Sequence, residues 1–225
     1  MPDVMSEQSV HIPVGALVLD GRLTVPRNAR AAVVFAHGSG SSRTSPRNRF
    51  VAGMLQEAGL ATLLFDLLSH DEARLMDNRF DIDRLTERLL AATHWLRSQA
   101  QAKDWALGYF GASTGSAAAL RAATELGPVI GAVVSRGGRP DLAEPVLSSV
   151  QAPVLFIIGS NDHQVLELNQ RAYRLITADK DLQIVPGATH LFEEPGALEE
   201  VARLAARWFS KHLLASRRVA WSTRS

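Results

Sequence analysis

Residues 108–119 read GYFGASTGSAAA, and the role of Ser113 within them decides the reading of the whole chain. An apolar run ends at Phe110, a G-x-S-x-G pattern follows from Gly111 to Gly115, and small residues continue to Ala119. Two readings meet here. A serine on a sharp strand-to-helix turn is an exposed nucleophile. A serine before an alanine-rich helix is also a helix cap, with the small residues packing that helix close to a sheet. The two are compatible, because a sharp turn needs close packing.

Working outward, short apolar runs alternate with helical patterns. Strands are expected at residues 10–14, 16–25, 31–36, 61–65, 106–110, 130–135, 154–158 and 182–185. The first two flank Gly15 and read as an antiparallel pair. The later ones are apolar throughout, as strands covered on both faces must be. Helices are expected at 47–58, 81–99, 113–126, 166–177 and 197–214, with one more near 141–150. In the 81–99 segment Ile82, Leu85, Leu89, Leu90, Ala92, Thr93 and Leu96 follow helical spacing. The alternation predicts an α/β fold: a mostly parallel, eight-stranded twisted sheet with helices on both faces. Residues 1–214 are expected to form a single domain, followed by a basic, frayed tail at 215–225.

Composition narrows the function. The 225 residues carry 24 Lys plus Arg against 23 Asp plus Glu, and the arginines are scattered, so nucleic acid is not an expected partner. With no cysteine there is no disulfide, thiolate metal site or cysteine nucleophile. The N-terminus lacks a signal-peptide apolar core, and charges or glycines break every apolar stretch well short of the ~20 residues of a membrane span. The expectation is a cytoplasmic monomer or homodimer, with no membrane partner, cofactor or metal.

Ligands of open α/β sheets bind beyond the C-terminal ends of the strands. There the chain places His37-Gly38-Ser39-Gly40-Ser41, then Ser113, then Gly159-Ser160-Asn161-Asp162, then Gly187-Ala188-Thr189-His190. Serine, aspartate and histidine in that order match the triad of α/β-hydrolases. A serine hydroxyl is a weak nucleophile at neutral pH. It needs a base, here His190, and the base needs a carboxylate, here Asp162, to fix its tautomer. The plainer alternatives are a turn residue for Asp162 and a loop-capping role for His190. The Thr114 amide, at a helix start, is expected to stabilise the oxyanion, with the Ser39 amide as second donor and Gly40 next. His37 is expected to organise that loop rather than react. Gly38 and Gly40 line the mouth. Arg43 and Arg136 (and, less directly, Arg47) are candidates to grip a substrate carboxylate, the alternative being salt bridges to Asp66, Asp71 or Asp141.

The segments FAHGSGSSRTSPRN, ATLLFDLL, GYFGASTGSAAAL, VVSRGGRPDL, PVLFIIGSNDHQV and VPGATHLFEEPGALEEVARLAARWF resemble the dienelactone hydrolase-like branch of the α/β-hydrolases, from the first strands to Leu214. They also resemble a hydrolase domain that some bacterial proteins join to a phosphoribosyltransferase domain. This chain shows no phosphoribosyl-binding loop and is expected to correspond to the stand-alone hydrolase. The resemblance implies Ser113 as nucleophile, Asp162 as acid and His190 as base. Dienelactone hydrolases themselves carry cysteine at the nucleophile position. Serine there points to general carboxylic-ester hydrolysis. Residues 136–153 are too short for a lid domain, so an open cleft for short-acyl or small soluble esters is expected, with minimal or no lid. The alternatives are an acyltransferase, thioesterase or peptidase using the same triad, and a binding protein that retains the fold without catalysis.

Overall fold

The computed structural model describes residues 4–214, and the basic tail at 215–225 lies outside them. Eight strands form one sheet: β1 (Val4–Val14), β2 (Leu17–Pro26), β3 (Ala31–Ala36), β4 (Ala61–Phe65), β5 (Ala106–Ala112), β6 (Ile130–Arg136), β7 (Val154–Gly159) and β8 (Lys180–Val185). Their order is β1-β2-β4-β3-β5-β6-β7-β8. The strands from β3 onward run parallel, while β2 pairs antiparallel with both β1 and β4. The expected α/β sheet is thus present, and the β1–β2 pair turns at Gly15, whose φ is +58°. The central strands are the alternation-free ones. Every residue of β3, β4 and β7 is buried, as two covered faces require.

Five α-helices cover the faces: α1 (Pro46–Glu57), α2 (Ile82–Ser98), α3 (Thr114–Leu126), α4 (His163–Leu175) and α5 (Ala197–Phe209). One apolar core lies between the sheet and α2, α3 and α4, and a second under α1 and α5. Successive residues of a strand feed opposite cores, so Tyr109 packs with the first and Phe110 with the second. β1 begins at Val4, six residues before the expected start, and three helical segments also differ from expectation. α4 begins at His163, three residues early, because Asp162 ends the preceding turn. α5 stops at Phe209 and a π turn carries the chain to Leu214. The segment near 141–150 is a 3-10 run, Pro140–Ser149, with Pro145 inside it, where proline removes the donor that a regular α-helix needs. Among the described residues no helix is long and apolar enough to cross a membrane.

Candidate active site

The nucleophile candidate sits where β5 hands over to α3. Ser113 occupies φ 50°, ψ −122°, outside the regions open to ordinary side chains, and Thr114 begins the helix. Surrounding structure holds the turn in place. The Ser113 amide donates to Arg136 O at 3.2 Å, while Ser113 O accepts from Ser116 N at 3.0 Å and Arg139 N at 3.1 Å. Close packing sharpens it. A Cβ on Gly115 would stand 2.1 Å from Ala36 O, so α3 presses directly on the end of β3. The Ser113 side chain caps no helix amide. The capping role weighed for it is therefore not what the hydroxyl does here.

Asp162 and His190 come together. His190 Nδ1–H donates to Asp162 Oδ2 at 2.6 Å, which leaves Nε2 as the free ring nitrogen. Asp162 stands at the N-terminal boundary of α4 but makes no side-chain bond to it, so its carboxylate serves the histidine. Backbone contacts stitch the two loops together. Asn161 N donates to Ala188 O at 2.9 Å, Asn161 Nδ2 to Gly187 O at 3.0 Å, and Gly187 N to Ser160 Oγ at 2.8 Å. A Cβ on Gly159 would lie 2.2 Å from Ala188 O, so glycine is what permits the approach. Glu194 closes the histidine loop by accepting from Thr189 N at 3.1 Å and Thr189 Oγ1 at 2.6 Å. Those bonds, the hydroxyl's above all, hold the Glu194 carboxyl below its ordinary range. Nothing in the sequence reading singled Glu194 out; its signal was a carboxylate four residues after the histidine. The Ser113 turn and His190 meet the same loop. Arg136 and Arg139 hydrogen-bond Ser113, and a Cβ on Gly137 would lie 3.4 Å from the His190 ring.

The loop after β3 lies against Ser113: a Cβ on Gly38 would be 3.0 Å from Ser113 Cβ. His37 organises it. Its Nε2 accepts from Leu67 N at 3.0 Å and its Nδ1–H donates to Gly38 O at 3.0 Å. That pattern defines a neutral imidazole with the proton on Nδ1. Burial depresses its pKa below the ordinary 6.5, against the opposing pull of Gly38 and Asp66.

Three expectations change. The Ser39 amide is not an open donor. It donates to Thr114 Oγ1 at 2.9 Å, because close packing brings the first residue of α3 up to the loop. Arg43 lines the cleft, but its guanidinium is taken by Asp66 and lies 3.6 Å from Asp20, and its amide donates to Asp66 Oδ1 at 2.7 Å. The salt-bridge alternative holds for Arg43. Arg136 is buried, lies over the Phe192 ring at 5.6 Å and does not line the cleft. Its strand position turns it toward the core under α1 and α5. Burial, with Arg47 nearby, lowers its pKa to about 10.

Beside the loop opens a cleft of about 480 Å³, lined by Gly38, Ser39, Gly40 and Ser41 on one side and by residues 66–85 on the other. Ser113, Asp162 and His190 do not line it; Gly38, which does, stands against Ser113. The wall came from an unexpected place. The 136–153 connection packs on α3 and α4, and the segment after β4 shapes the cleft instead. Two short 3-10 turns, Glu72–Arg74 and Asp77–Phe80, form this wall, with Arg79 Nε donating to Ala73 O at 2.6 Å. Arg79 and His70 line the cleft. The only sequence trace of the wall was the 15-residue gap between strand 61–65 and helix 81–99.

Residues 19–214 match the sequence model of the dienelactone hydrolase family. The chain belongs to the dienelactone hydrolase family. A crystal structure of dienelactone hydrolase from Anabaena variabilis is 50% identical, with a TM-score of 0.90, over 94% of this chain and 99% of that one. Est1E from Butyrivibrio proteoclasticus shares the fold at 17% identity and a TM-score of 0.79, over 91% of this chain and 98% of that one. A Mycobacterium tuberculosis protein named "Putative phosphoribosyl transferase" is 55% identical over 209 residues, 93% of this chain. The match takes in 47% of that protein, so the chain spans about half the length of the curated relatives it matches. The family is one of hydrolases. The chain has no cysteine and presents Ser113 on the turn between β5 and α3.

Proposed function

We propose that residues 1–214 form one catalytic domain that hydrolyses small carboxylic esters through a covalent acyl-enzyme, without a cofactor. The observation that carries this reading is the 2.6 Å bond from His190 Nδ1–H to Asp162, together with a serine held in a strained strand-to-helix turn. His190 Nε2 removes the Ser113 proton as Oγ attacks the ester carbonyl. The tetrahedral oxyanion forms against the first turn of α3, where the helix dipole and the Thr114 amide favour negative charge. The imidazolium, stabilised by Asp162, then protonates the leaving alkoxide. A water attacks the acyl-enzyme by the same route and frees Ser113.

The size of the cleft supports small acyl and alcohol groups. At about 480 Å³, it falls near the lower end of the ~300–1,000 Å³ range of small-molecule sites. The name carried by the M. tuberculosis relative describes a protein of which this chain matches 47%, and nothing in the site favours phosphoribosyl transfer.

A fluorophosphonate probe tests the reading. The wild-type protein is expected to be labelled at Ser113, and Ser113→Ala is expected to abolish both labelling and turnover of p-nitrophenyl esters. Rates should fall as the acyl chain lengthens beyond a few carbons. A folded protein that resists the probe would remove Ser113 as nucleophile and favour a binding role. Acyl transfer to an added alcohol outrunning hydrolysis would move the activity to a transferase.

A further inference from the structure

The hydroxyl of Thr114 is a buried donor with no acceptor of its own. Three other threonines on helices give their hydroxyl hydrogen to the carbonyl four residues earlier. Thr86 bonds Ile82 O at 2.7 Å, Thr93 bonds Leu89 O at 2.8 Å and Thr124 bonds Leu120 O at 3.0 Å. Thr114 cannot do this. It is the first residue of α3, and the residue four before it, Phe110, is in β5. Its Oγ1 instead accepts the Ser39 amide at 2.9 Å, and among the described residues nothing receives its hydrogen. The residue is 1% exposed. A hydroxyl offers one hydrogen and two lone pairs. Here one lone pair is engaged and the hydrogen is unspent, on the residue that follows the nucleophile.

We propose that the Thr114 side-chain hydroxyl is itself a donor to the oxyanion, completing with its own backbone amide a pair of donors from a single residue. The inference rests on the acyl-enzyme reading above. The Ser39 amide then acts one step removed, as a positioning group. It fixes Oγ1 and, by donating to it, polarises the O–H and strengthens its donation. The packing on the page makes the arrangement rigid: Gly115 against Ala36, Gly38 against Ser113, and His37 bonded to Leu67 and Gly38. No proton is transferred to or from Thr114. Its O–H shortens its contact to the carbonyl oxygen as charge develops there, and relaxes when the acyl-enzyme forms.

The test compares Thr114→Val, which keeps the shape and deletes the hydroxyl, with Thr114→Ser, which keeps the hydroxyl and deletes the methyl. Each is assayed on a p-nitrophenyl ester and on its thionoester, whose sulfur accepts hydrogen bonds poorly. By comparison with single oxyanion donors elsewhere, Thr114→Val should lose about 10²-fold in kcat. KM should stay within about twofold, and the preference for ester over thionoester should shrink in the same variant. Thr114→Ser should hold kcat within about fivefold and keep the preference. Fluorophosphonate labelling of Ser113 in each variant confirms an intact turn. A valine variant as fast as wild type, or faster, would show that the hydroxyl plugs the site and overturn the proposal. So would equal losses in both variants, or an unchanged ester preference. If the valine variant does not fold, Thr114→Ala against Thr114→Ser gives the same comparison. Wild-type protein that the probe fails to label overturns the acyl-enzyme reading instead.

Discussion

At the scale of single residues, the site depends on side chains having one job each. Asp162 stands where an aspartate ordinarily caps a helix, yet its carboxylate goes to His190. Replacing it with asparagine keeps the shape and permits the wrong imidazole tautomer. Asp162→Asn is therefore expected to fold with an unchanged melting temperature, within about 2 °C, and to lose about 10⁴-fold in kcat on a p-nitrophenyl ester. A loss below about tenfold would place the acid elsewhere. The Asp162–His190 pair and the strained turn at Ser113 were legible because each residue follows an apolar strand, and the sheet brings strand ends together. It could not make Ser39, Arg43 or Arg136 legible in the same way. Whether an amide is open or spent depends on a neighbour 75 positions away, here Thr114. Whether an arginine faces a cleft or a core depends on strand phase and on which carboxylate arrives first. Asp66 reached Arg43, and Phe192 covers Arg136.

At the scale of elements, the strands and helices read well because their apolar periods are strong, and the cleft wall read poorly because it has none. Residues 69–80 are held by charge rather than by a hydrophobic stripe. Glu72 accepts from Ser69 N at 2.9 Å and from Arg88 Nη2 at 3.1 Å, and Arg84 Nη1 stands 3.7 Å away. Burial alone would raise its carboxyl; the Ser69 amide and the two guanidiniums of α2 outweigh that and hold it below its ordinary value. Asn78 Nδ2 donates to Glu72 O at 2.9 Å, so the second 3-10 turn hangs from the first. Arg88 is 8% exposed, and its Nε already lacks a partner. Glu72→Gln would leave a buried guanidinium without its carboxylate, at a cost of roughly 1–3 kcal/mol in urea unfolding. Adding Arg88→Met should restore part of that loss, since an apolar chain needs no counter-charge. If the single variant matches wild type, the wall is held by its backbone alone.

At the scale of the whole molecule, stability should carry the signature of a neutral histidine buried between the strands that form the site. His37 binds Leu67 from one loop and Gly38 from another, and it does so only with an unprotonated Nε2. Burial holds its folded pKa below the 6.5 of the unfolded chain. His212 is depressed in the same sense, by burial and by Lys211. Below pH 6.5 the unfolded chain therefore binds protons that the folded chain refuses, and the equilibrium moves toward unfolding. The stabilisation is complete above pH 6.5 and is lost as pH falls, at up to about 1.4 kcal/mol per pH unit for each such histidine until its folded pKa is reached. Glu72 adds a second, more acidic window. Its folded pKa is below 4.5, so its contribution is present above 4.5 and disappears as pH drops through the folded value. Urea unfolding measured from pH 8 to 4 should be flat above 6.5 and then decline. His37→Gln keeps an acceptor for the Leu67 amide and cannot titrate. It should be less stable at pH 8, having lost the bond to Gly38, but its decline between pH 6.5 and 5 should be shallower by as much as one proton. An unchanged slope would mean that His37 takes up its proton in the fold, and that the loop against Ser113 tolerates a charged imidazole beneath it.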